Sequence, residues 1–246
     1  MKRLISILFS LAIASAALWA QNDTTKVLLI GTSFTYGNNS WDMLEQIAKS
    51  NGKLISIEHS CQPGYAFADH LGCQATTDAI LKGGYDFAIL QDQSQTPAKY
   101  AKDPVGNSKF RSNFITLTNR IFGWSPAVKI IVECSWAYPA EYWGGFGSES
   151  EFNYFLQNGT RLYSEVVLGK VSPVGRAFSD IRATRPEIEL LDSDGQHPSL
   201  AGTYLKCCVN YLVLFGGNFD IFTENCGLDP MVAKNLRAAA LKAVQE

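Results

Sequence analysis

Three short stretches of the chain hold residues whose types and spacing fit acyl transfer. The first is Gly31-Thr32-Ser33-Phe34-Thr35-Tyr36-Gly37-Asn38, directly after the apolar run 26–30. A serine at the end of a strand and near a helix N-terminus sits where backbone N–H groups can stabilise an anion. The same position suits a helix-capping serine, a phosphate-cradling loop or an ordinary turn. The loop lacks the G-x-x-x-x-G-K-[ST] and G-x-G-x-x-G patterns, which demotes nucleotide binding. The second stretch is Asp192-Ser193-Asp194-Gly195-Gln196-His197-Pro198-Ser199. A serine hydroxyl needs a base, and the base works best with an acid on its far nitrogen. Asp194 and His197 stand three apart, so the carboxylate can reach Nδ1 while Nε2 faces the serine; Asp192, five residues away, is the alternative acid. The chain has only three histidines, which makes one in an Asp-x-x-His turn ahead of a helix informative.

The third requirement is a set of donors where a tetrahedral intermediate gathers its charge. Ser60-Cys61-Gln62-Pro63-Gly64-Tyr65 offers a glycine after proline, suited to a turn with positive φ that points its N–H into a cleft. Gln91-Asp92-Gln93-Ser94 offers side-chain amides that donate without carrying charge. Taken singly, each of these loops reads more simply as a polar cap.

The elements that must position these residues are strands without alternation. Short β-rich runs stand at 26–30, 54–60, 85–90, 128–135 and 170–174, and the continuous rather than alternating apolar pattern, clearest at 26–30, means burial on both faces. Helical stretches are expected at 41–50, 67–82, 108–122, 149–168 (with Asn158-Gly159 as an interruption), 176–184, 200–215 and 230–244. Strand and helix in alternation give an α/β fold with a parallel, doubly wound sheet, and ligands bind beyond the carboxyl ends of such strands. Ser33, Gly64 and the two glutamines all follow strands, so they converge on one rim.

Of the 246 residues 46% are hydrophobic and 18% charged, and the formal net charge is -2. This composition is globular, and its balance gives no electrostatic reason to expect nucleic acid as a partner. Lys2 and Arg3, the apolar run 4–18 and Ala20 before Gln21 have the layout of a secretory signal peptide. The expectation is therefore a leader over 1–20, then a single domain over 21–246, exported to the periplasm or secreted, with no membrane span after leader removal. Six cysteines fit an oxidising compartment. Cys61 with Cys73 is the pairing expected first, then Cys226 with Cys207 or Cys208; free buried thiols are the alternative.

At this point the chain resembles the SGNH (GDSL-type) hydrolases. The resemblance rests on the Gly31–Asn38 block, the Gly64 turn, and Asp194-x-x-His197-Pro198 with Gly202. It implies a serine esterase or deacylase on a flavodoxin-like three-layer α/β/α sandwich with a five-stranded parallel sheet. Ser33 would be the nucleophile, His197 the base and Asp194 its orienting acid. Ser33 and Gly64 N–H groups would form the oxyanion hole. The family's Gly-x-Asn-Asp block is replaced here by Gln91-Asp92-Gln93-Ser94, which puts Gln93 at the Asn position, with Gln91 the second choice. A subgroup of exported bacterial proteins looks similar in combining GxSFT with LQxQS.

Aromatic residues crowd the loops. Tyr65, and Trp136, Tyr138 and Trp143 in the loop after the fourth strand, suit stacking on sugar rings. They tilt the expected substrate towards a small ester on a carbohydrate, cleaved through an acyl-enzyme with no metal or organic cofactor required. The rival expectation is a non-catalytic glycan-binding module on the same fold. The sequence sets no oligomeric state.

Overall fold

The apolar runs become five strands: β1 (Thr25–Gly31), β2 (Ile55–Cys61), β3 (Phe87–Leu90), β4 (Lys129–Glu133) and β5 (Lys170–Ser172). They form one all-parallel sheet in the order β2-β1-β3-β4-β5. The structure, a computed structural model, describes residues 24–139, 144–217 and 224–246. The expected leader and Trp143 lie outside the described residues.

Continuity of the apolar runs has a direct cause. Along β1, Val27 and Leu29 point into one core and Leu28 and Ile30 into the other, and all four are buried. A strand covered on both faces has no polar side to show. One layer consists of α2 (Ser40–Ser50), α8 (Val174–Thr184), α9 (Leu200–Phe215) and α10 (Pro230–Gln245), the other of α3 (Phe67–Gly72), α4 (Gln74–Lys82) and α6 (Ser108–Trp124). Two helices, α5 (Thr96–Lys102) and α7 (Glu149–Val166), pack on each other and feed both cores. A single-turn helix, α1 (Ser33–Tyr36), follows β1. The α/β fold with its five-stranded parallel sheet is the one expected.

Some local expectations need correction. The helix expected over 67–82 is two, divided at Cys73, whose extended backbone ends α3 and begins α4. Asn158-Gly159 does not interrupt α7, which is continuous from Glu149 to Val166. Gly159 is there for space: a Cβ would come within 1.9 Å of the Pro97 carbonyl on α5. All six cysteines are free. Ser60 meets Thr76 of α4 at 2.8 Å, so Cys61, the next residue on the strand, faces the opposite layer and joins the core under α2 and α9. Cys73 remains on the α4 side, which sets the sheet between the two thiols.

Candidate active site

The register of the sheet brings three arms to one edge. Ile30 pairs with Ser60 on one side and Leu90 on the other. Ser33 and Gln93 each lie three positions past that level, and Gly64 four. These residues, with Thr32, Phe34, Tyr36, Pro63, Ser94, Gln196 and His197, line one open cleft of about 480 Å³.

The turn carrying Ser33 is held from below. Thr32 caps α1, its hydroxyl accepting from the Phe34 N–H at 3.2 Å. Buried Gln91 turns its carbonyl oxygen to the Thr32 N–H (2.9 Å), the Thr32 hydroxyl (2.7 Å) and the Thr35 hydroxyl (2.9 Å). A Cβ on Gly31 would lie 2.1 Å from Thr35 Oγ1, so only glycine leaves room for this cluster. At the far end of α1, the ammonium of buried Lys206 donates to the Phe34 and Thr35 carbonyls at 2.9 and 3.0 Å. On the α4 side a chain of hydroxyls runs Ser60–Thr76–His70, and His70 Nε2 donates to the Gly31 carbonyl at 3.1 Å. Burial pulls the His70 pKa down, against the raising effect of the Gly31 carbonyl and Asp69, so the ring is neutral and Nδ1 accepts from Thr76.

His197 arrives on a tight loop closed by Asp192 N–H to the His197 carbonyl (2.8 Å) and Ser199 N–H to the Leu190 carbonyl (3.0 Å). Ser199 then caps α9. His197 Nε2 stands 2.8 Å from Ser33 Oγ, and Nδ1 stands 2.5 Å from Asp194 Oδ2. The other carboxylate oxygen of Asp194 accepts from the Gln196 and His197 N–H groups at 2.8 and 2.9 Å. Partial desolvation raises the Asp194 pKa, but these N–H donors and the imidazole outweigh it and hold the carboxyl at about 2. The imidazole thus takes Asp194 rather than the alternative, Asp192. Asn38 ties the two loops, donating to the Pro198 carbonyl (3.0 Å) and Thr203 hydroxyl (2.9 Å).

The donors divide clearly. Gly64 has φ +72° and turns its backbone into the cleft, as the Pro-Gly pair suggests. Gln93 accepts from the Gln95 N–H (2.9 Å) and Thr96 hydroxyl (3.3 Å). A backbone N–H can only donate, so the atom it meets is the amide oxygen, which leaves the Gln93 NH₂ for the cleft. Gln91, the second choice, is excluded as a donor to the cleft, because its oxygen serves Thr32 and Thr35 and its NH₂ the Asp92 carbonyl.

Two aromatic expectations are overturned. Trp136 is buried, with one face on Phe34 (4.6 Å, 7°) and the other on Phe178 (4.2 Å, 6°), and its Nε1 donates to the Gln196 carbonyl. No face remains for a sugar. Tyr138 is also buried, edge-on to Phe34 with its hydroxyl at 2.9 Å from Ser94. Both brace the site from behind: Phe34 in turn meets the His197 ring edge-on at 5.5 Å. Tyr65 is half-buried beside Gly64, edge-on to His70.

Lys206, Asn38 and His70 escaped the sequence reading. Lys206 had a signal, since it is the one charged residue in a sixteen-residue helix that is otherwise apolar or uncharged. Asn38 closes the first block without its role being read there, and His70 had no signal. A second cavity, about 440 Å³ and bordered by Tyr154, Arg161 and Arg176, lies at the β5 side and holds none of these groups. Among the described residues no three His, Cys, Asp or Glu side chains gather as metal ligands.

No protein-family model matches the chain, and no curated protein matches its sequence. Solved structures do match its fold. A DUF4886 family protein from Bacteroides uniformis superposes with a TM-score of 0.76 over 91% of this chain and 95% of its own, at 18% identity. A lipase/acylhydrolase from Enterococcus faecalis gives 0.58 over 76% and 94%, at 16% identity. An acetyl xylan esterase from Geobacillus stearothermophilus gives 0.57 over 79% and 97%, at 13% identity. The fold is thus one that GDSL-type lipases, acylhydrolases and acetyl xylan esterases share.

Proposed function

We propose that the chain is an exported serine esterase that removes a small acyl group, acetyl above all, from a polyol or carbohydrate. The observation that carries this reading is the Ser33–His197–Asp194 relay at the mouth of a cleft lined by the Gly64 turn and Gln93. A binding module has no use for a serine hydroxyl aligned on an imidazole whose far nitrogen is held by a carboxylate.

His197 Nε2 takes the Ser33 proton as Oγ attacks the acyl carbon, and the ring shares its positive charge with Asp194. The oxyanion forms between the Ser33 and Gly64 N–H groups and the Gln93 amide, donors fixed before reaction. His197 next protonates the departing alkoxide. It then draws a proton from water, which attacks the acyl-enzyme and frees Ser33. An open cleft whose wall includes the polar side chains of Thr32, Gln93, Ser94 and Gln196 fits a small acyl group on a hydroxylated alcohol. The acetyl xylan esterase among the similar structures supports the same substrate class. Export rests on the layout of residues 1–20.

The test is hydrolysis of p-nitrophenyl acetate and p-nitrophenyl decanoate, with acetate release from acetylated xylo-oligosaccharides. The expected result is turnover that favours acetyl. Ser33→Ala and His197→Ala should each lose about a thousandfold or more in kcat/KM with unchanged circular dichroism. Wild-type rates in both variants would overturn the reading.

A further inference from the structure

Helix α3 begins with only half of a capping box, the Asp69 carboxylate accepting the Ala66 N–H at 2.8 Å. Its N-cap residue is Ala66, which has no side-chain acceptor, although Ser, Thr, Asp or Asn is the usual choice there. The first helical N–H is met from the loop after β3. Asp92, at the end of β3 and 3% exposed, accepts the Phe67 N–H on Oδ1 at 2.9 Å. The same oxygen accepts the Gln93 N–H at 2.9 Å, and the Tyr163 hydroxyl donates to Oδ2 at 3.2 Å. One carboxylate oxygen therefore joins the segment carrying Gly64 to the residue carrying the side-chain amide.

The other end of the Gly64 segment is also anchored, by the Gln62 N–H on the Gly31 carbonyl at 3.0 Å. The turn from Gln62 to Phe67 thus hangs between β1, which presents Ser33, and Asp92, which precedes Gln93. Between these anchors the Tyr65 N–H meets the Gln62 carbonyl at 3.4 Å and the Ala66 N–H meets the Asp69 carboxylate at 2.8 Å, and Gly64, with a positive φ and no side chain to pack, takes its N–H direction from this frame. Burial of the carboxyl opposes its charge and lifts its pKa to about 7 despite the Phe67, Gln93 and Tyr163 donors. A buried acid at the end of a strand is costly to keep where an apolar residue would pack.

We propose that Asp92 is the positioning residue of the oxyanion hole, its carboxylate fixing the spacing between the Gly64 N–H and the Gln93 amide. The proposal rests on the esterase reading above, in which those two groups are the donors. It concerns transition-state stabilisation and not ground-state binding, since the ester oxygen becomes a strong acceptor only as its charge develops.

The experiment compares Asp92→Asn, Asp92→Leu and Asp92→Ser in the full chain with p-nitrophenyl acetate, with Ser33→Ala alongside. Asparagine keeps an oxygen for the two N–H groups and turns its NH₂ to the Tyr163 hydroxyl, which accepts. It should hold kcat within about threefold of wild type. Leucine breaks the bridge, and serine is too short to reach Phe67. Each should lower kcat at least about tenfold with KM within about threefold, and the loss should shrink when Gln93→Ala is already present. Should leucine fail to fold, serine decides; should neither fold, asparagine decides, because a folded Asp92→Asn variant that loses tenfold in kcat overturns the proposal. Folded leucine or serine variants with wild-type kcat overturn it also, while an inactive Ser33→Ala leaves the esterase reading standing. Turnover that survives in Ser33→Ala would instead remove the reading on which the proposal rests.

Discussion

Replacing Asp194 by asparagine separates the orienting role of the carboxylate from its role in shaping the loop. In the wild type Oδ1 accepts from two backbone N–H groups, at 2.8 and 2.9 Å, while Oδ2 faces His197 Nδ1 at 2.5 Å. An asparagine must keep its oxygen on the two backbone donors, so its NH₂ turns to the imidazole. Nδ1 then has to accept, the ring proton moves to Nε2, and Nε2 can no longer take the proton of Ser33 Oγ, 2.8 Å away. The loop is preserved and the base is lost. In fully buried triads the wrong tautomer costs about ten-thousandfold in kcat. Here the side chains of His197 and Asp194 are 38% and 47% exposed, so water competes for Nδ1 and recovers part of the productive form. The expected loss is about a thousandfold in kcat/KM, or about 4 kcal/mol of barrier, with KM changed by no more than a few-fold. Initial rates on p-nitrophenyl acetate measure it, with circular dichroism as the control for the fold. A variant that keeps more than about a tenth of wild-type activity would refute the argument that Asp194 sets the tautomer.

Other expectations follow from the same geometry. Gln93→Ala removes the side-chain amide offered to the oxyanion beside Gly64 and should lower kcat at least about tenfold, with substrate affinity little altered. Lys206→Met removes a buried donor from the Phe34 and Thr35 carbonyls and takes from buried Glu133 the positive charge that opposes its raised pKa. Urea unfolding should show a loss of about 3 kcal/mol. The pH dependence of stability should report Asp92, whose folded pKa of about 7 lies above the ordinary carboxylate value. The folded state then holds a proton that the unfolded chain releases, so this group's contribution falls as pH rises from about 4 to 7. Asp92→Asn removes that proton exchange. Its thermal midpoint should gain on the wild type across this interval and then run parallel to it; a constant difference would place the Asp92 pKa elsewhere.

The sheet was legible because its central strands β1, β3 and β4 are buried on both faces and leave continuous apolar runs such as Val27 to Ile30, while the edge strand β2 is partly exposed. Ser33, His197 and Asp194, which the structure brings together, could be singled out because a serine after β1 and an Asp-x-x-His turn before α9 are local patterns. What could not be read depends on contacts between segments far apart in the chain. Whether Trp136 offers a face to ligand or lies between Phe34 and Phe178 is decided by α1 and α8 together. Gln91 and Gln93 are chemically the same, and only the hydroxyls of Thr32 and Thr35 reveal which amide is spent on the scaffold. The Cys61–Cys73 pairing looked natural along the chain, yet strand alternation places the two thiols on opposite sides of the sheet. Ala66 and Phe67 look featureless until their N–H groups are seen on the carboxylates of Asp69 and Asp92.

The measurement that bears most directly on the site is labelling of the folded protein with a fluorophosphonate, followed by peptide mass spectrometry to locate the adduct. An activated nucleophile gives a single adduct on Ser33 that is lost in Ser33→Ala and slowed at least about a hundredfold in His197→Ala. No adduct, or an adduct on another serine at the same rate in both variants, would contradict the assignment of Ser33 and His197 as nucleophile and base.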